Sequence, residues 1–335
     1  VNWSKHWRIG LLGVVVSAVA IYFVAHEVDL PQVAQKLTSA RYIFLLPCVA
    51  FLLAGLVTRA LRWRVLLSAG LPLNRAFSIM NVAYLVNGVL PLRIGELARA
   101  YLASRAEPPV PLLKSASTII VERLLDLLAV VVMMALALTA GPVPQEWRAA
   151  ALLTAPMALI GVFFLIALAR WRDLAHRIVA WWMARLLFLQ RFDLRTWLDH
   201  FLDGLMPLTQ PNALLKALFW TAVSWGLSLI AGYILMFAFY PRGDWAATAL
   251  YISAAAFAIA LPAMPANIGP YEGSIVLALH VMGYGDPVDA AISFALVVHG
   301  VNLAVHATTG ILGVIQEGVS LGQLSQGVQR VSNEV

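Results

Sequence analysis

Arg93, Glu96 and Arg99 lie in one apolar stretch of the chain, and Glu122, Arg123 and Asp126 lie in the next. A charge at bilayer mid-depth costs roughly 2.5–3.5 kcal/mol on insertion scales, so a charge kept there marks a pathway or a partner. Glu96 and Arg99 are three residues apart, on neighbouring helical faces, while Glu122 and Asp126 share a face at i, i+4. Arginine presents a planar fork suited to phosphate oxygens, and a phosphodiester headgroup is the obvious anion in a bilayer. The pattern supports a site in which Arg93, Arg99 and Arg123 hold that headgroup. Glu96, Glu122 and Asp126 then keep the empty site neutral. A closed set of ion pairs pinning neighbouring helices would read the same way.

A second group of polar residues comes later. Asn267 and Glu272 stand in Pro262-Ala263-Met264-Pro265-Ala266-Asn267-Ile268-Gly269-Pro270-Tyr271-Glu272. Glu96 and Glu272 each fall in the first turn after a break, where a carboxylate can cap free backbone donors, and Pro270 suits the first helical position. Substrate contact and capping both stay open for them. His299, Asn302 and His306 recur at i, i+3, i+7 on one helical face. Histidine changes charge near neutral pH, which fits proton coupling, with a packed polar stripe as the plainer alternative. Two histidines seven residues apart with no nearby carboxylate lack a metal-ligand set. Arg59, Arg62 and Arg64 flank Trp63 and are expected to anchor at headgroup level by snorkelling, a specific lipid contact being the alternative.

These residues need elements to hold them, and the composition says which kind. Of 335 residues 61% are hydrophobic and 12% charged, with a mean hydropathy of +0.82. An ordinary globular chain is about 25% charged. The chain is therefore expected to be an all-α polytopic membrane protein, and its net charge of +6 to be an orientation signal, with no nucleic-acid partner. Cys48 has no second cysteine to pair with and reads as inert packing.

A bilayer core of about 30 Å needs roughly 20 apolar residues per helix. Spans are expected at Ile9–Ala25 (retained rather than cleaved), Tyr42–Thr58, Leu112–Leu138, Ala149–Ala169, Leu214–Phe239 and Val288–Ile315. Ala76–Leu90 and Ala246–Leu261 instead run into proline- and glycine-containing breaks and then into short returning stretches. Each reads as a re-entrant hairpin, residues 76–104 and 246–283, because broken backbone is tolerated at membrane depth only where protein or a water-filled cavity surrounds it. With the N-terminus, Arg59–Arg75, Ala98–Lys114, Arg170–Lys216 and the tail placed in the cytoplasm, seventeen Lys and Arg lie inside and four outside. That bias predicts both termini on the cytoplasmic side, one hairpin entering from each face.

The Ile-Gly pairs of the two breaks are 174 residues apart, and the flanking spans superpose at nearly the same offset. The expected organisation is two inverted-topology repeats, residues 1–140 and 141–316, each with three spans and a hairpin, then a tail over 317–335. Paired Gly/Pro-interrupted segments in two halves point to a transport site at their interface. Residues 170–207, with six arginines and four aspartates, suit helices lying on the cytoplasmic surface or a solvated link. Asp199 and Asp203 form a carboxylate pair that could hint at metal-assisted phosphotransfer, though no nucleophile–base set accompanies them.

Four ordered motifs carry a resemblance: Arg59-x-x-Arg62-Trp63, Asn87-x-x-Leu90-Pro91-x-x-x-Gly95-Glu96-x-x-Arg99, Val121-Glu122-Arg123-x-x-Asp126, and Leu261-Pro262-x-x-Pro265-x-x-Ile268-Gly269-x-x-Glu272. The series resembles the lysylphosphatidylglycerol synthase transmembrane region family, also called flippase-like membrane proteins. The family pattern often has glycine where this chain carries Ala266-Asn267. In bifunctional members this region precedes a soluble aminoacyl-transferase domain, and here the chain stops about twenty residues after the last span. The resemblance implies a stand-alone flippase for an anionic phospholipid, an aminoacyl-lipid or a polyprenyl-phosphate, serving a lipid-synthesising or glycosyl-transferring partner enzyme. A membrane-embedded lipid-modifying enzyme and a transporter of small anionic solutes are the alternatives. No cofactor and no metal is implied, and no phosphate-binding P-loop is present for ATP.

Overall fold

A computed structural model describes residues 29–68, 70–89, 94–140, 166–185, 194–260 and 265–319, with isolated positions at 156–164 and 322. The expected first span, Arg93, Arg148, most of Ala149–Ala169 and most of the tail lie outside the described residues.

The described chain is helical. It runs α1 (Leu30–Ser39), a short turn, α2 (Leu45–Leu66), α3 (Leu73–Val89), a break, α4 (Gly95–Ser104) and α5 (Leu112–Ala140). After α6 (Arg172–Arg185) and α7 (Leu194–Leu205) come α8 (Pro211–Met236), α9 (Trp245–Ala260), a second break, α10 (Pro270–Val281) and α11 (Val288–Glu317). Pro211 and Pro270 occupy first-turn positions, where the missing N–H has no helical partner to lose. Gly318, at φ 63°, closes α11 in the left-handed conformation that glycine adopts without strain. Tyr42–Leu66, α8 and α11 are long and apolar enough to cross a membrane. At a 1.5 Å rise, α3 and α4 reach only about 26 Å and 15 Å, so neither alone covers the bilayer core.

The order α2, α3, break, α4, α5 recurs as α8, α9, break, α10, α11, and so do the interfaces. α3 packs on α4 as α9 does on α10, and α4 on α5 as α10 does on α11. Across the halves, α3 packs on α11 as α9 does on α5, and α2 lies against α8. The α3–α11 and α9–α5 interfaces each carry a serine-to-carbonyl hydrogen bond: Ser78 on α3 reaches the Gly313 carbonyl of α11, and Ser253 on α9 reaches the Val130 carbonyl of α5. α2 and α8 run antiparallel, since Arg41, just before α2, binds the carbonyls of Ala238 and Tyr240 just after α8, while Arg62 near the end of α2 meets Thr221 near the start of α8.

Small residues allow the close approach of α3 and α11. A Cβ on Gly310 or Gly313 would come within 2.8 Å of the Asn81 or Ser78 carbonyl, the kind of contact that drives helix association where lipid removes the hydrophobic incentive. α7 buries Leu202 and Leu205 against α5, and Gly204 abuts Ser117. α6 leaves Trp181, Trp182, Leu174 and Ile178 exposed beside its arginines. Arg172 pairs with both Asp199 and Asp203, and His176 with Asp199, so the carboxylate pair joins α6 to α7.

One expectation needs correction. The second span does not end at Thr58: α2 continues two turns to Leu66, and Arg62 is fully buried within it.

The second break carries backbone strain. Ala266 and Asn267 sit at φ 61° and 56°, before Gly269 at φ 96°. Asparagine tolerates that region, whereas alanine's Cβ crowds the following carbonyl at about 1–2 kcal/mol. Ala266→Gly is expected to stabilise the protein by about 0.5–1 kcal/mol, net of glycine's larger unfolded-state entropy. A thermal-unfolding midpoint that rises would bear this out.

Candidate functional site

The helices bring one charged cluster together. Glu122, on α5 and fully buried, accepts a bidentate pair from Arg99 of α4 at 3.0 and 2.9 Å. Arg62 of α2 lies 3.5 Å from the same carboxylate and binds Asp126 of α5 at 2.6 and 3.2 Å. Arg123 reaches Glu122 at 3.0 Å and lies 3.7 Å from both Asp126 and Glu96. Two carboxylates one turn apart on α5 thus bind arginines from three helices. A buried charge without such partners would be prohibitively costly.

Aromatic and hydroxyl groups complete the packing. The Arg99 guanidinium lies 3.9 Å over the Trp63 ring, whose Nε1 donates to Thr118. Trp225 of α8 donates Nε1–H to Asp126 at 3.0 Å, and Thr221 accepts from Arg62. Arg59, one turn before Arg62, stands 5.6 Å over the Trp225 ring. Tyr84 of α3 stacks on His306 of α11 at 5.0 Å.

Access differs sharply across the cluster. Arg62, Arg99 and Glu122 are sealed, whereas the Arg123 and Glu96 side chains are 36% and 34% exposed. Arg59, Tyr84, Trp225 and His306 are also half-buried. Among the described residues no carboxylate lies within ion-pair reach of Arg59. The four guanidiniums of Arg59, Arg62, Arg99 and Arg123 thus stand, among the described residues, with the three carboxylates of Glu96, Glu122 and Asp126, which leaves one positive charge over.

The match to known families now has a structure to sit on. The family described as lysylphosphatidylglycerol synthase TM region matches residues 10–310. The chain belongs to this family. It is accordingly a membrane-embedded protein of a family with lipid-related functions, and the match takes in every residue of the cluster. No curated protein and no solved structure matches the chain.

Within this family member, the sequence-derived candidates divide into two groups. Glu96, Arg99, Glu122, Arg123 and Asp126 come together, joined by Arg62. Arg62 is not the headgroup-level anchor the sequence indicated: its guanidinium is held by Asp126, Glu122 and Thr221. Glu272 and His299 form a separate pair, Nδ1 to Oε1 at 2.5 Å, and the second Glu272 oxygen accepts the Gly269 N–H. Capping and pairing thus occur in one residue. Asn267 sits half-buried in the second break, which packs against α3. His299 and His306 face different partners, the first on α10 and the second on α3. Thr221, Trp225 and Tyr84 were missed, because in an apolar span nothing local separates them from packing.

Proposed function

We propose that the protein moves an anionic, phosphate-bearing lipid between the leaflets of a prokaryotic cytoplasmic membrane, with both termini inside. The surplus positive charge at Arg59, over the Trp225 ring that also binds Asp126 of the cluster holding half-exposed Arg123, carries the reading. An accessible guanidinium with a second one near it suits a phosphate monoanion, and the sealed ion pairs behind it fix its position without competing for it. The halves act as inverted-topology repeats with re-entrant hairpins. The recurring helix order, the paired interfaces and the antiparallel α2 and α8 support this, and in such folds the substrate site lies where the repeats meet. Arg93, three residues before Glu96 in the sequence, is included in the proposal as a further headgroup contact.

The test uses fluorescent NBD-phosphatidylglycerol in phosphatidylcholine vesicles carrying the purified protein, with dithionite reporting the outer leaflet. Losing a charge-assisted contact worth about 1.5–3 kcal/mol should slow Arg59→Ala by about ten- to a hundredfold. An NBD-phosphatidylcholine control should show that the wild type prefers the anionic probe. An Arg59→Ala variant that folds and moves the anionic probe at the wild-type rate would remove Arg59 from the site.

A further inference from the structure

The second half carries a pair at the position where the first half carries Arg123 and Glu96. A shift of 176 residues takes Glu96 to Glu272 and Arg123 to His299. Both pairs join a returning helix to the long helix after it, α4 to α5 and α10 to α11. The same shift takes Asp126 to Asn302, Glu122 to Val298 and Arg99 to Ile275. The second half therefore keeps the pair, loses the permanent charges around it, and puts a titratable cation where the first half has a permanent one.

Access is reversed as well. The Glu272 and His299 side chains are 10% and 7% exposed, against 34% and 36% for Glu96 and Arg123. One pair is open and its counterpart shut, as expected of two equivalent stations caught on one side of an alternating cycle. A polar stripe links them. His306 lies two turns beyond His299 on α11, about 10.5 Å along the axis, with Asn302 between them, and reaches Tyr84 beside the first cluster.

On the lipid-translocation reading above, we propose that Glu272 and His299 form a second, proton-dependent station for the same headgroup, so that lipid anion and proton cross together. The charges balance. With imidazolium and carboxylate the pair is neutral. One proton from water, bound at the Glu272 carboxylate, leaves a single positive charge, equal to the surplus at Arg59 and matched to one phosphate monoanion. Releasing headgroup and proton to the opposite side restores the neutral pair, with no covalent bond made to the lipid.

Among the described residues, the groups around the pair supply no competing permanent charge. Tyr271 of α10 packs on His299 at 4.4 Å, and Tyr251 faces Tyr271 from α9 with Cys48 of α2 nearby. Tyr84 of α3 and Arg59 of α2 meet α11 at His306, two turns away. α1 meets α11 where the Asp29 N–H donates to Asp289. α8 makes no hydrogen bond or ion pair to α11 among the described residues.

The experiment holds a difference of one pH unit across vesicles containing the protein and NBD-phosphatidylglycerol, with the membrane potential clamped to zero. One proton per lipid ties that difference to about a tenfold excess of probe in the leaflet facing the alkaline side, whichever way the protein is inserted. Protein-free vesicles give the background. An even distribution in the wild type overturns the proposal while leaving lipid translocation standing. No probe movement at all sinks translocation itself. His299→Gln and Glu272→Gln should each bring the imbalance to about one, and a tenfold excess retained in both variants would overturn the assignment to this pair.

Discussion

Replacing Glu122 with alanine is expected to cost about 3–5 kcal/mol of stability, the range for breaking a buried ion pair from one side. Glu122 is fully buried and touches Arg62, Arg99 and Arg123. Without it Arg99 keeps, among the described residues, only the Trp63 ring, and three guanidiniums are left with half-buried Asp126 and the more exposed Glu96. The neighbouring acid gives the contrast. Glu96 is a third exposed and meets Arg123 at 3.7 Å, so Glu96→Ala should cost no more than about 1 kcal/mol. Thermal unfolding of both variants in detergent reads the difference directly. Equal midpoints would show that the cluster is not what holds α2, α4 and α5 together.

Gly95→Ala should be nearly as damaging, at about 3 kcal/mol, the upper end for overpacking. An added Cβ would overlap the Ala83 carbonyl oxygen and approach Asn87 Oδ1 to 2.6 Å. The first obstacle is backbone in the middle of α3 and cannot step aside as a side chain might. The Gly95 N–H also donates to Asn87 Oδ1 at 2.8 Å, closing the break. Moving α4 away to make room would pull Arg99 from Glu122, so the steric fault reaches the charge cluster. Gly88→Ala is the control, because nothing lies within 4 Å of its added Cβ. It should be neutral or slightly stabilising, and a loss at Gly88 equal to that at Gly95 would rule out the steric account.

Much of this architecture could be read without coordinates. Apolar length located α2, α5, α8 and α11 to within a few residues at most of their ends, and proline with glycine located both breaks, because each signal is local. The acids and arginines of α4 and α5 were recognisable because charges are costly in a span. Arg62 was misread for the same reason: beside Arg59 and Arg64 it looked like the edge of the membrane, and its partner Asp126 lies 64 residues away on another helix. Trp225 and Thr221 gave no signal, since an aromatic or a hydroxyl in an apolar run is ordinary packing until a carboxylate is placed beside it. Glu272 and His299 were each noticed but not joined. Laying the second half on the first at Glu96 would have put His299 on Arg123 and exposed the pair.

The hydrogen bonds between α3 and α11 have a consequence for how the chain is made. Asn81, fully buried on α3, accepts from Thr309, and Ser78 waits for the Gly313 carbonyl, more than two hundred residues further along. The ribosome delivers α2 and α3 to the bilayer well before α8 and α11 exist, so these polar groups spend the interval without their native partners. Biogenesis must therefore bridge that delay, by an insertase that shelters the early helices or by lateral insertion held back until the later ones emerge.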